Sequence, residues 1–206
     1  MRHIDLSAFE QTPLVIQPFD YLVVPRFLRS ESLRQLIADF PDTGYSGLAP
    51  LSAVKCRGAF AELIEEITSA ELESTFAAKY QMDLAPLPLM VTVRSRARAR
   101  DGAIHTDTAS KVITALVYLN EAWEAGGGRL RFLADPKDIE AVIAEVPPEG
   151  GTLASFRRSE RSYHGHLPFS GPRRAIMFNW MSDELAVRRE LARHSISARI
   201  KRLWRQ

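Results

Sequence analysis

Residues 111–120, KVITALVYLN, are apolar on both of their alternating faces. A strand with one wet face alternates apolar with polar side chains, so this run reads as a strand covered on both sides. One face would line a barrel interior, and the other would meet a layer of helices. Short β-rich runs recur around it: LPLMVTVRSRAR (87–98), RLRFLA (129–134), IEAVIAEV (139–146), GTLASF (151–156) and RRAIMFNW (173–180). Turn chemistry separates them, at Asp101-Gly102, Gly126-Gly127-Gly128, Asp135-Pro136, Pro147–Gly151 and Ser170-Gly171-Pro172. With no long helix between the runs, they predict antiparallel strands in a sandwich or barrel.

The covering helices are sought upstream. A short strand is predicted around Tyr21–Val24, and Ser30 is read as the N-cap of a helix carrying Leu33, Leu36, Ile37 and Phe40 at helical spacing. Pro41 and the Gly44–Gly47 region end that helix. A second is predicted from Ala59 to about Thr68, with Phe60, Leu63, Ile64 and Ile67 on one face, and a third with Leu72, Phe76 and Tyr80. A closing helix is predicted from Ser182, as its cap, to Trp204, with Asp183 and Glu184 in its first turn. The chain therefore reads as α+β with a mainly β core. Residues 1–206 form one domain, comprising mixed helical support (1–85), a barrel core (86–181) and a C-terminal helix (182–206).

Composition narrows the class. Over 206 residues, 46% are hydrophobic and 25% charged, which excludes a disordered or collagen-like chain. No apolar run approaches the ~20 residues of a membrane span, and MRHIDLSAFE lacks the apolar stretch of a signal peptide. Cys56 is the single cysteine, which excludes an internal disulfide and a cysteine-rich metal site. The expectation is a soluble, cytoplasmic protein. A net charge of +2 does not call for a nucleic-acid partner. The basic tail from Arg188 to Arg205 reads as a solvated helix face.

Five histidines remain to supply nitrogen ligands: His3, His105, His164, His166 and His194. In an extended segment, residues two apart project to the same side, so His105 and Asp107 can grip one metal ion. A second histidine on another strand would complete a 2-His-1-carboxylate set, which leaves positions open for substrates and suits non-haem Fe(II). By itself His105-Thr106-Asp107 reads better as a polar turn after Asp101-Gly102. The serial order that follows changes the weighting.

Taken together, His105–Asp107, Tyr118-Leu119-Asn120, Gly127-Gly128-Arg129-Leu130-Arg131-Phe132, the Pro148–Gly151 hairpin, His164 and Arg173 resemble the 2-oxoglutarate- and Fe(II)-dependent oxygenases, in their prolyl 4-hydroxylase-like branch. The resemblance covers about Leu87 to Trp180 and implies a double-stranded β-helix, the jelly-roll or cupin-like barrel. It further implies Fe(II) held by His105, Asp107 and His164, with no catalytic side chain beyond the metal centre. The family's distal histidine is commonly followed by proline at four positions and arginine at nine. Pro168 and Arg173 meet both counts from His164 and neither from His166.

A buried cosubstrate carboxylate is costly unless a guanidinium meets it. Strand alternation alone leaves Arg173 and Arg174 open for that role, and family spacing favours Arg173. Tyr118 and Thr114 join it on the resemblance. His166, Asn179 and Arg96 are candidates for lining the substrate site. Where relatives often carry a tyrosine on the strand before His105, this chain has Ser95 among arginines; the Arg94/Arg96/Arg98 alternation reads either as a charged edge strand or as an anionic-substrate surface. The implied activity is hydroxylation of a small-molecule or peptidyl substrate with release of succinate and CO2. It would use Fe(II), 2-oxoglutarate and O2, with ascorbate as accessory reductant. The competing readings are a non-catalytic cupin-like binding or regulatory module and a different metal enzyme on a cupin-like barrel.

Overall fold

The computed structural model describes residues 1–203, with side chains as far as Arg193. Four helices and two strands precede the barrel core: α1 (Leu6–Gln11), β1 (Tyr21–Val24), α2 (Ser30–Ala38), β2 (Ala49–Pro50), α3 (Gly58–Ile67) and α4 (Ala70–Tyr80). The core comprises β3 (Leu89–Ala97), β4 (Lys111–Tyr118), β5 (Leu130–Leu133), β6 (Val142–Val146), β7 (Leu153–Arg157), β8 (His164–Gly165) and β9 (Gly171–Met181), followed by α5 (Glu184–Leu203). The strands form two antiparallel sheets, ordered β1-β7-β4-β9-β3-β2 and β6-β5-β8. This is a double-stranded β-helix.

The two-faced reading of β4 holds. Ile113, Ala115 and Val117 join Ile176, Phe178 and Trp180 of β9 in a core shared with α1, α3 and α4. Leu116 and Tyr118 point the other way, where Ala154, Phe156 and Ala175 meet Leu130, Phe132 and Val146 across the gap between the sheets. Strand β3 is covered on one long edge by β9 and on the other only by the two residues of β2.

Both predicted N-caps shift by one residue. Ser30 is the first residue of α2, with Arg29 at the cap and no side-chain capping bond. At α5 the cap is Asp183, whose Oδ1 accepts from the Ala186 N–H at 2.8 Å, and Ser182 donates to Asp183 instead. A carboxylate supplies both the capping acceptor and a charge that suits the helix N-terminus, so it takes the position from the hydroxyl. Trp204 and Arg205 lie outside the described residues. Sequence patterning did not reveal α1, β2 or β8, each of six residues or fewer.

Candidate active site

The paired backbones of His105 and His164 place the site at one end of the gap between the sheets. Each donates its N–H to the other's carbonyl, at 3.0 and 2.9 Å. This bridge brings the imidazole rings to a centroid distance of 4.3 Å. Asp107, two residues on, faces them, and one ligand atom from each of the three lies within 4.8 Å of the others.

Both imidazoles have a fixed orientation. Nδ1 of His105 donates to the Ala103 carbonyl at 2.9 Å, and Nδ1 of His164 donates to the Ser162 carbonyl at 3.0 Å. A ring that donates through Nδ1 keeps a bare lone pair on Nε2, the state a metal requires. Burial, followed by the nearby His105, drives His164 down to about 4 despite the attraction of Asp107, so it is neutral at physiological pH.

Both oxygens of Asp107 are held. Lys111 Nζ donates to Oδ1 at 2.9 Å and Thr114 Oγ1 to Oδ2 at 2.5 Å, while Asn179 Nδ2 donates onward to Thr114 at 2.7 Å. Burial pushes the carboxyl up, but Lys111, His164 and the Thr114 hydroxyl outweigh it and hold Asp107 ionised below its usual range. Two imidazoles and one carboxylate make the 2-His-1-carboxylate donor set that fits Fe(II).

A cavity of about 180 Å³ runs from these residues between the sheets. Leu116, Leu130, Ala175 and Met177 line its middle. Its volume lies below the ~300–1,000 Å³ typical of drug-sized pockets, so it is sized for a small acid. At the far end lies Arg173, 4% exposed, bonded to the Gly128 carbonyl at 2.8 Å and the Tyr118 hydroxyl at 3.2 Å. The Tyr118 ring packs against the guanidinium, 5.2 Å from its carbon. Gly128 has φ +78°, a conformation that favours glycine, and it turns that carbonyl toward Arg173. Among the described residues Arg173 has no carboxylate partner. A buried guanidinium paired only with neutral groups is a site for an incoming anion.

The other expected residues separate clearly. Arg174 leaves the cavity and lies over the Phe40 ring on the helical side. His166 lines the cavity but stays outside the metal cluster; its Nδ1 donates to the Leu167 carbonyl, and burial and Arg173 drive it down to about 4. Asn179 is fully buried behind Thr114 and is not part of the cavity wall. Thr114 reaches the wall, but its hydroxyl is engaged with Asp107.

Arg96 does not line the cavity either. A register shift between Arg94 and Arg96 breaks the strand alternation, so Arg94 points inward while Arg96 is exposed beside Pro172. Arg98 joins Arg94 on Asp101, so Arg96 is the member of the alternation that leaves this side. His3 is buried against Glu62 away from the cavity, and the His194 side chain lies outside those described. Sequence reading missed Lys111 and Asp101 as site residues and offered Arg94 only within the arginine alternation. The Asp107/Lys111 spacing of four and the arginine alternation were their signals.

Residues 95–182 match the family model of the 2OG-Fe(II) oxygenase superfamily. Over that stretch the chain carries a 2OG-Fe(II) oxygenase domain. It is therefore an oxidoreductase of the dioxygenase type, and the family implies Fe(II), 2-oxoglutarate and O2. No curated protein matches the sequence.

Solved structures share the fold. A Pseudomonas putida prolyl-4-hydroxylase aligns with a TM-score of 0.56 at 18% identity, over 86% of this chain and 97% of that one. IDO from Bacillus thuringiensis aligns at 0.54 and 13% identity, over 80% and 90%. The viral collagen prolyl hydroxylase of Paramecium Bursaria Chlorella virus-1 aligns at 0.51 and 16% identity, over 78% and 93%. Among the described residues no helix is long and apolar enough to cross a membrane.

One glycine in this oxygenase fixes the approach of the turn that leads to His105. A Cβ on Gly102 would collide with the His166 carbonyl and ring, and Gly102 O also accepts from His166 N–H at 3.0 Å. Backbone cannot yield as a flexible side chain can. Gly102→Ala is expected to cost about 1–3 kcal/mol in thermal denaturation and to weaken divalent-metal binding by displacing His105.

Proposed function

We propose that this protein is a 2-oxoglutarate-dependent hydroxylase that converts 2-oxoglutarate and O2 to succinate and CO2 as it hydroxylates a substrate C–H bond. The observation that carries the reading is the cavity itself. One end holds the His105, Asp107 and His164 donors, and the other holds a buried guanidinium, Arg173, without a counter-ion among the described residues. A molecule with a chelating 2-oxo acid at one end and a carboxylate at the other satisfies both.

Fe(II), when bound, would activate O2 as the oxidant, with 2-oxoglutarate giving up two of the four electrons as it becomes succinate and CO2. The protein residues supply position and dryness. His105, Asp107 and His164 would hold the metal, with Thr114 and Lys111 keeping the Asp107 carboxylate oriented. Arg173, braced by Tyr118 and the Gly128 carbonyl, would take the distal carboxylate through a pre-set planar fork. Leu116, Leu130 and Met177 exclude water from the path between them.

The prolyl hydroxylases among the structural neighbours make peptidyl proline the first substrate to offer, with small metabolites next. A reducing cytoplasmic setting, with ascorbate as accessory reductant, is part of the same reading. Purified protein with Fe(II), ascorbate and 2-oxoglutarate is expected to form succinate above a His105→Ala control, even by uncoupled turnover without substrate. Equal succinate from both proteins across the substrate panel would overturn the proposal.

A further inference from the structure

Arg173 is one of two guanidiniums at the far end of the cavity. Arg94 of β3 lies opposite Ala175 of β9, and Ala175 lies opposite Tyr118 of β4. Arg94 therefore stands at the level of Tyr118, beside Arg173 and away from the Thr114 level at which Asp107 is held. It lines the cavity with its side chain 15% exposed.

Its pairing is incomplete. Nη1 donates to Asp101 Oδ2 at 3.1 Å, and among the described residues its other N–H groups have no partner. Asp101 is shared: Arg98 donates to it through its backbone N–H, Nε and Nη2 at 3.0–3.2 Å. One carboxylate thus serves Arg94 and Arg98 while Arg173 has none, a surplus of two positive charges around the end of a small cavity. Burial and the adjacent Arg173 press Arg94 down to about 10, and it remains charged at neutral pH. Such a cluster is costly to desolvate without an anion.

We propose that Arg94 is a specificity-determining residue: with Arg173 it forms a two-guanidinium clamp on the distal carboxylate of the cosubstrate, and Asp101 holds it there. This rests on the 2-oxoglutarate reading of the site. Asp101 takes one edge of the Arg94 guanidinium and leaves the other for the ligand, while Arg173 approaches from the neighbouring strand. A carboxylate has lone pairs for both. The clamp makes the cavity selective for dicarboxylic 2-oxo acids, with the second arm supplied from the strand before His105.

The experiment is anaerobic calorimetric titration of Mn(II)-loaded protein with 2-oxoglutarate and with 2-oxopentanoate, which has the same carbon skeleton without the distal carboxylate. Arg94→Met is expected to weaken 2-oxoglutarate roughly 10- to 100-fold, the range for losing a hydrogen bond to a charged group, and to leave 2-oxopentanoate within about twofold. Arg94→Lys, which keeps the charge and the Asp101 pairing, is expected to fall between wild type and Arg94→Met, and it carries the test if Arg94→Met does not fold. Wild-type affinity for 2-oxoglutarate in both Arg94 variants, with loss in Arg173→Met, would overturn the clamp and leave the cosubstrate reading standing. Equal weakening of both acids would also overturn it, as an effect transmitted through the fold. Failure of the wild type to bind either acid would overturn the cosubstrate reading itself.

Discussion

Asp107→Ala is expected to weaken Fe(II) or Mn(II) binding by more than about 100-fold and to bring succinate formation to the level of metal-free protein. The scale follows from comparison with outer residues: losing a partner that merely orients a ligand costs about 10–100-fold in metal affinity, and Asp107 is proposed as a donor itself. It is also the sole anionic member of the His105/Asp107/His164 set. Its removal leaves two imidazoles to hold a divalent ion, with the Lys111 ammonium close by and no longer matched.

The same substitution frees Thr114 and Asn179 from their hydrogen-bond chain, so a modest loss of stability should accompany the loss of metal. Equilibrium dialysis with Mn(II) separates the two effects. Near-wild-type affinity in folded Asp107→Ala would show that the carboxylate is not a ligand.

Phe76→Ala is expected to be the most damaging single truncation in the helical layer, at about 3–5 kcal/mol. Phe76 is fully buried on α4, between Leu72 and Tyr80 on the inward stripe of that helix. Its ring lies 4.5 Å from that of Phe9 on α1 and 4.8 Å from that of Trp180 on β9, with Phe178 at 5.7 Å. It therefore joins two helices to the outer face of the large sheet. The hole left by truncation has aromatic walls that cannot collapse into it, which places the cost at the high end of such series. A urea titration followed by circular dichroism would show a lower midpoint at an unchanged slope. A loss below about 1 kcal/mol would mean that the layer repacks freely.

Much of this molecule could be read from the chain because the relevant physics is local. The runs at 111–120, 129–134, 151–156 and 173–180 became β4, β5, β7 and β9, since apolar periodicity and turn residues act over a few neighbours. The same holds for α3 and α4, whose buried residues are those of the predicted apolar faces. The α5 cap was misplaced by one position because serine and aspartate compete for the same role, and only the donor geometry decides; at α2 the helix begins on Ser30 itself, with no side-chain cap.

Candidate ligands were legible too, because a metal limits its donors to a few residue types and His105-Thr106-Asp107 places two of them on one side. What local sequence could not decide depends on which surface lies behind each strand. Arg173 and Arg174 are adjacent on a strand that is covered on both faces, so composition cannot say which one looks inward. The helical core over Ile176, Phe178 and Trp180 settles that Arg173 does. Arg94 and Arg96 share parity on paper, and one register shift separates them. The sharing of Asp101, the tether of Lys111 and the withdrawal of Asn179 behind Thr114 join residues brought together only by strand pairing and turns. Pattern along the chain selects the elements and the donor types; the direction of each side chain and the neutralisation of each buried charge arise from packing between elements, which no single stretch encodes.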